Sequence, residues 1–265
     1  VPDTNLARDN TPDFFRSLAN QLCERESKAT TGNLEVKMGE RITFPSNGSK
    51  CDGYLAVPSK PNGRAVIVIQ EWWGLVGHIT DVADRFAENG YVALAPDLYH
   101  GTQTKEPDEA MRLMMGLAMD TAAKDIAGAA SYLSSRSDVT ADGIGAVGFC
   151  LGGSLALWSA TLSPLVTATV GYYPGIPWTK MSPEWSNYTG KAAIIHCSEH
   201  DGTSGAPGIQ SALVAIREAG GSAEAFDYEG SDHAFFNSDR PEVYDPAHAE
   251  LSWDRTLAFF DSRLK

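Results

Sequence analysis

The sequence predicts an α/β fold: a doubly wound, mostly parallel sheet with helices on both faces. Three observations carry that reading. Short apolar runs recur along the chain, helical patterns separate them, and one run ends in a glycine-framed corner, "AVGFCLGGS" at residues 146–154. The runs are almost unbroken rather than alternating, as a parallel sheet covered on both faces requires. Repeated strand–helix–strand units then impose right-handed crossovers.

Residues 1–34 read as an N-terminal extension packed on a domain that occupies 35–265. Within it, "TPDFFRSLANQLCE" has Thr11 as an N-cap and Pro12 at the first helical position. "EVKMGERITFP" and "CDGYLAVP" follow as strands around the turn signal Ser46-Asn47-Gly48, an antiparallel pair at a sheet edge. Further strands are expected at 65–70, 91–96, 143–149, 166–173, 191–197 and 222–228. Helices are expected at about 78–89, 108–135, 150–162, 207–219 and 247–264, with the Met-rich "MRLMMGLAM" at 111–119 read as helix core. In such a sheet the active groups gather at the carboxyl ends of the parallel strands.

The 265 residues suffice for one large α/β domain, and 43% hydrophobic with 21% charged residues is a globular composition. No apolar run approaches the ~18 residues of a membrane helix. The net charge of −13 and the absence of a basic stripe argue against nucleic acid as a partner. Four cysteines, Cys23, Cys51, Cys150 and Cys197, lie far apart without CxxC spacing, which argues against a zinc ribbon or a thioredoxin-like motif. Cys23, Cys51 and Cys197 read as buried or incidental thiols. No metal or cofactor is expected, and the expected partner is a small molecule. The compartment is read as cytoplasmic, with a removed leader before Val1 and the oligomeric state left open.

The corner residue carries the chemistry. A strand turning sharply into a helix strains the residue at the bend, which is tolerable only when the residues two positions away lack side chains. Gly148-Phe149-Cys150-Leu151-Gly152 has that pattern, with a thiol at the bend. The following helix points its amino end at the sulfur and favours thiolate over thiol. A nucleophile there needs a base, and the base a carboxylate, in the chain order nucleophile, acid, histidine. Asp201 follows the strand at 191–197 and His233 follows the strand at 222–228, so Cys150, Asp201 and His233 have that order.

Two other histidines compete. His196 lies inside an apolar strand and reads as a core residue; His200, beside Asp201, reads as a surface loop residue. Together they give "HCSEH", which matches a zinc pattern, but that chemistry needs both rings on one helical face and this stretch leaves a strand for the turn Asp201-Gly202.

With these residues in hand, the chain resembles the dienelactone hydrolase family of α/β-hydrolases over about residues 35–262. The likeness runs through "VIQEWWGL", "GYVALAPDLYHG", "VGFCLGGS", "VGYY", the Asp201 loop and "DHAFFN". It implies that Cys150 attacks an ester or enol-lactone carbonyl, that His233 shuttles the proton and that Asp201 holds the imidazole. It also implies an oxyanion hole from the backbone N–H groups of Leu151 and Trp72, and a Glu71 that contacts the resting thiol. Two departures concern the substrate. Asn237 stands where the family has a carboxylate-binding Arg, and an amide cannot give the bidentate charged contact of a guanidinium. Arg112 and Arg240 are the candidates to replace the missing charge, and Tyr172, Tyr173 and Phe235 are candidate pocket residues. The expectation is a preference for neutral over anionic esters and lactones. A broad esterase is the alternative enzyme reading, and a binding module without turnover is disfavoured by the intact Cys150, Asp201 and His233.

Overall fold

The computed structural model describes residues 39–46, 48–175 and 180–265. The expected extension over 1–34, with its Thr11–Pro12 helix start and Cys23, lies outside the described residues.

Eight strands form one sheet in the order β1-β2-β4-β3-β5-β6-β7-β8. They are β1 Glu40–Ser46, β2 Ser49–Ala56, β3 Ala65–Ile69, β4 Val92–Pro96, β5 Ile144–Phe149, β6 Val166–Tyr172, β7 Ala192–Ser198 and β8 Ser222–Tyr228. β1 and β2 form the expected antiparallel edge hairpin, β2 joins β4 antiparallel, and every pairing from β4 to β8 is parallel. Every residue of β3, β4 and β5 is buried, which is why these runs are apolar without alternation.

The helices are α1 Gly77–Glu88, α2 Pro107–Gly116, α3 Met119–Ser134, α4 Leu151–Leu162, α5 Pro207–Glu218 and α6 Pro246–Arg263. One apolar layer packs α3, α4 and α5 on one face of the sheet through Ile126, Leu133, Leu155 and Leu213. The other packs α1 and α6 through Ile79, Phe86, Trp253 and Phe260. The single helix expected over 108–135 is two helices. Leu117 adopts φ −57°, ψ 122° and turns inward to become buried, and Gly116 before it, a poor helix former, makes the break cheap. The methionines divide accordingly: Met114 and Met119 pack against the core, whereas Met111 and Met115 are exposed and correct the expectation of a wholly buried stripe. No helix among the described residues is long and apolar enough to cross a membrane.

The strand order reverses at the sheet centre. The chain leaves β3 for β4 on one side and places β5 on the other, so the crevice beyond the carboxyl ends of β3 and β5 is a topological switch point. Ile69 is in register with Gly148 across that pair. Two residues further along each strand are Glu71 and Cys150, which the register therefore sets at the same level.

Candidate active site

β5 ends at Phe149 and α4 begins at Leu151, so Cys150 alone makes the turn. It does so at φ 54°, ψ −117°, a conformation L-residues rarely adopt, with its N–H donating to the Tyr172 carbonyl at 3.0 Å. The surrounding glycines permit it. A Cβ on Gly148 would lie 2.0 Å from the Gly152 carbonyl oxygen, and one on Gly152 would lie 2.4 Å from the carbonyl oxygens of both Ile69 and Gln70. The bend thus wedges the start of α4 against β3, and no side chain fits between. Gly152→Ala is expected to destabilise the fold by about 3 kcal/mol or more, since the clashing atoms are backbone; chemical denaturation of the two proteins measures it.

His233 and Asp201 come from the loops after β8 and β7. Nδ1 of His233 donates to Oδ2 of Asp201 at 2.7 Å, and the same oxygen accepts the Ser198 hydroxyl at 2.5 Å. Burial works against the Asp201 charge, but these two hydrogen bonds outweigh it and hold the carboxyl below its usual range. For His233, burial acts to lower the pKa; hydrogen bonds to Asp201 and Cys150, and the charges behind them, prevail and hold the imidazole up to about 10. The ring therefore feels both the thiol and the carboxylate.

Glu71 is buried, and its Oε2 accepts Nδ2 of Asn237 at 3.0 Å while Oε1 has no hydrogen-bond partner. Burial pushes its pKa up to about 7, against the opposing pull of His233, Asn237 and Arg240. Tyr173, also buried, has an unpartnered hydroxyl and sets its ring tilted against that of His233, with 5.0 Å between centroids. Burial, then the charges of Glu71 and Cys150, push its phenol well up. The raised Glu71 value has a consequence for stability. The fold favours the protonated carboxyl, so this stabilisation is complete below the unfolded value near 4.5 and is lost as pH rises through about 7. Glu71→Gln should remove that dependence and leave the protein about 3 kcal/mol more stable than wild type at pH 8. Equilibrium unfolding of both proteins at pH 5 and pH 8 tests it.

Backbone strain marks the same region. Of the five described non-glycine residues with positive φ, Cys150, Tyr173, Thr203 and Ala234 either belong to this cluster or sit beside Asp201 and His233. The fifth is His100.

The remaining expectations are placed as follows. Among the described residues no acceptor takes the N–H of Trp72 or of Leu151, so both donors stay free. Tyr173 faces the site, but Tyr172 does not: it is fully buried, stacked on Phe149 at 4.7 Å, with its hydroxyl paired to Thr256 at 2.8 Å. β6 ends at Tyr172, and the chain turns at Tyr173 with φ 37°, which carries the second ring to His233. Phe235 is likewise a core residue, packed on Tyr228 at 4.9 Å. Asn237 is 2% exposed and committed to Glu71 and to the Asp239 N–H, so it holds a carboxylate rather than presenting a surface to substrate. Arg240 pairs through Nε with Glu242 at 2.9 Å, yet its charge is felt at Glu71 and Tyr173. Arg112 is exposed, pairs with Glu109 from the same helix, and lines a cleft with Leu98, Tyr99 and Leu117. His196 is the core histidine its strand implies, bonded to Tyr228 at 2.7 Å and Thr256 at 3.1 Å, and His200 is exposed and paired with Asp232. Those two rings share no ligand position.

One residue enters that sequence reasoning did not single out. Ser198 steadies Asp201; its position three residues earlier, across a short 3-10 turn, was the available signal. Tyr99 is buried with an unpartnered hydroxyl, and burial, then the charge of Cys150, raises its phenol.

This geometry has known relatives. The model of the dienelactone hydrolase family matches residues 51–264. The chain belongs to the dienelactone hydrolase family. "Protein usf" of Aquifex pyrophilus is 35% identical, covering 86% of this chain and all of its own length. A "Putative carboxymethylenebutenolidase" of Aquifex aeolicus is 32% identical over the same shares. Among solved structures, the "Putative Dienelactone Hydrolase" of Klebsiella pneumoniae subsp. pneumoniae MGH 78578 aligns with a TM-score of 0.69 at 26% identity, covering 84% of this chain and 98% of its own. The fold is accordingly the α/β-hydrolase fold of a hydrolase family.

Proposed function

We propose that this dienelactone hydrolase family member hydrolyses small carboxylic esters and lactones through a thioester formed on Cys150. The observation that carries the reading is the imidazole of His233, which interacts with the Cys150 thiol and donates to Asp201 at 2.7 Å. His233 takes the proton of the Cys150 thiol as the sulfur attacks the carbonyl carbon, and the C=O electron pair moves onto the carbonyl oxygen, held by the N–H groups of Leu151 and Trp72. Each such donor is worth about 3 to 4 kcal/mol at the transition state. Collapse expels the alkoxide, which takes a proton from His233; in a lactone it stays tethered to the acyl group. His233 then accepts a proton from water, the hydroxide attacks the thioester, and the carboxylic acid leaves as the sulfur is released. Asp201 acts through His233, fixing its tautomer and stabilising the imidazolium. Glu71 acts on the resting thiol.

The substrate is neutral in this reading. The residue that holds Glu71 is an amide, so no guanidinium sits at Asn237 to receive a substrate carboxylate. Arg240 is the nearer of the two replacement candidates and already pairs with Glu242. The expected result is a higher kcat/KM for short-chain aryl esters than for dienelactone. Turnover of dienelactone far above that of the esters, unchanged by Arg240→Ala, would contradict it.

A further inference from the structure

We propose that Cys51, His100 and Asp125 form a site for one zinc-like divalent ion, separate from the hydrolytic centre. Cys51 Sγ, a ring nitrogen of His100 and a carboxylate oxygen of Asp125 all lie within 4.8 Å of one another. They come from three elements: β2, the turn after β4, and α3. The approach of α3 depends on Gly128, where a Cβ would lie 2.9 Å from the Pro45 carbonyl oxygen. The Ser46 hydroxyl then donates to Oδ1 of Asp125 at 2.5 Å and orients the carboxylate.

The other carboxylate oxygen points to a ligand. Oδ2 belongs to a side chain only 3% exposed and has no hydrogen-bond partner, an expensive arrangement for a buried carboxylate. Nε2 of His100 stands 3.2 Å away without forming a hydrogen bond to it. Two donors bound to one tetrahedral ion at about 2.0 to 2.1 Å lie about 3.3 Å apart, so the pair already has ligand spacing. Thiolate, imidazole and carboxylate together suit zinc rather than calcium or magnesium. The His100 side chain is 47% exposed, which leaves solvent a route to a fourth position, and its backbone is held at φ 50°.

Without a cation the thiol keeps its proton. Burial, then the charges of Asp125, Asp97 and Asp52, push Cys51 up to about 12 despite its hydrogen bond to the Asp97 carbonyl. A divalent ion would take the place of that proton, releasing it to solvent as the Cys51–metal bond forms. The ion would tie the edge hairpin to α3 and to the turn that carries Tyr99.

Cobalt(II) titration of the full chain carrying Cys150→Ala, which removes the one partly exposed thiol of the hydrolytic centre, tests the site. The expected result is a near-ultraviolet thiolate-to-cobalt band saturating at one ion per chain and displaced by zinc. Zinc at 100 times its Kd should raise Tm by roughly 5 to 10 °C. Adding Cys51→Ala should abolish band and shift, and His100→Ala, at an exposed side chain that leaves the core untouched, should weaken binding about 100-fold or more. No band and no thermal shift with millimolar metal would overturn the proposal. So would a band and shift that survive His100→Ala.

Discussion

Replacing Cys150 by alanine is expected to lower kcat for aryl-ester hydrolysis by about 10⁴-fold or more, with the fold intact. The size follows from the role: without the sulfur no acyl-enzyme forms, and the backbone donors of Leu151 and Trp72 are left to act on direct attack by water. The fold should survive because alanine keeps the Cβ that the bend accommodates, and the strain at φ 54° is set by the glycines around it. Cys150→Ser isolates the chemistry further. It preserves shape and hydrogen bonding but replaces a readily ionised sulfur by an alcohol, so a large loss of rate should accompany an unchanged unfolding transition. Steady-state kinetics together with denaturant unfolding of the three proteins would check both halves.

Asp201→Asn is expected to cost about 10⁴-fold in kcat while leaving KM nearly unchanged. An amide at this position presents a donor as readily as an acceptor and cannot stabilise the imidazolium, so His233 loses both its orientation and the interaction that opposes its burial. The titration of the ring carries the sign. In wild type the hydrogen bonds hold His233 up to about 10, so the stability it contributes is complete below its unfolded value and is lost as pH rises through 10. In the variant the ring midpoint should fall, and the stability gap between the two proteins should close at alkaline pH. Ring-proton NMR titration reads the midpoint directly. Ser198→Ala should act in the same direction with a smaller effect, because it removes one of the two donors to Oδ2 of Asp201 and leaves the other.

How much was legible in advance follows from the kind of signal each feature leaves. The parallel strands could be located because burial on both faces makes them continuous apolar runs. The bend at Cys150 was visible because a carbonyl 2.0 to 2.4 Å from any added Cβ admits only glycine at positions 148 and 152. The break at Leu117 was not visible, since an apolar residue fits a helix and a buried turn equally well. Choosing between Tyr172 and Tyr173 was beyond the sequence too: what separates these neighbours is the end of β6 and the turn at Tyr173 with φ 37°, which leave no local pattern. The pairing of Asn237 with Glu71 joins residues 166 positions apart, and Cys51 meets His100 and Asp125 from two other elements. Contacts of that kind are made by topology and leave no local pattern.

The resemblance pointed to Asn237 as a departure in substrate binding, and its packing gives that departure a physical content. An amide satisfies one oxygen of a buried carboxylate without neutralising it, which is one reason burial can keep Glu71 near 7. A guanidinium there would favour the charged carboxylate more strongly. The amide at Asn237 thus bears first on how Glu71 titrates.

The central claim is that carbonyl chemistry passes through the sulfur of Cys150, and rapid-quench mass spectrometry during turnover of an aryl ester tests it most directly. The account requires a transient mass increase equal to the acyl group, confined to the peptide containing Cys150 and lost after thiol alkylation. Undiminished hydrolysis by fully alkylated protein, or an acyl group carried on any other residue, would contradict it.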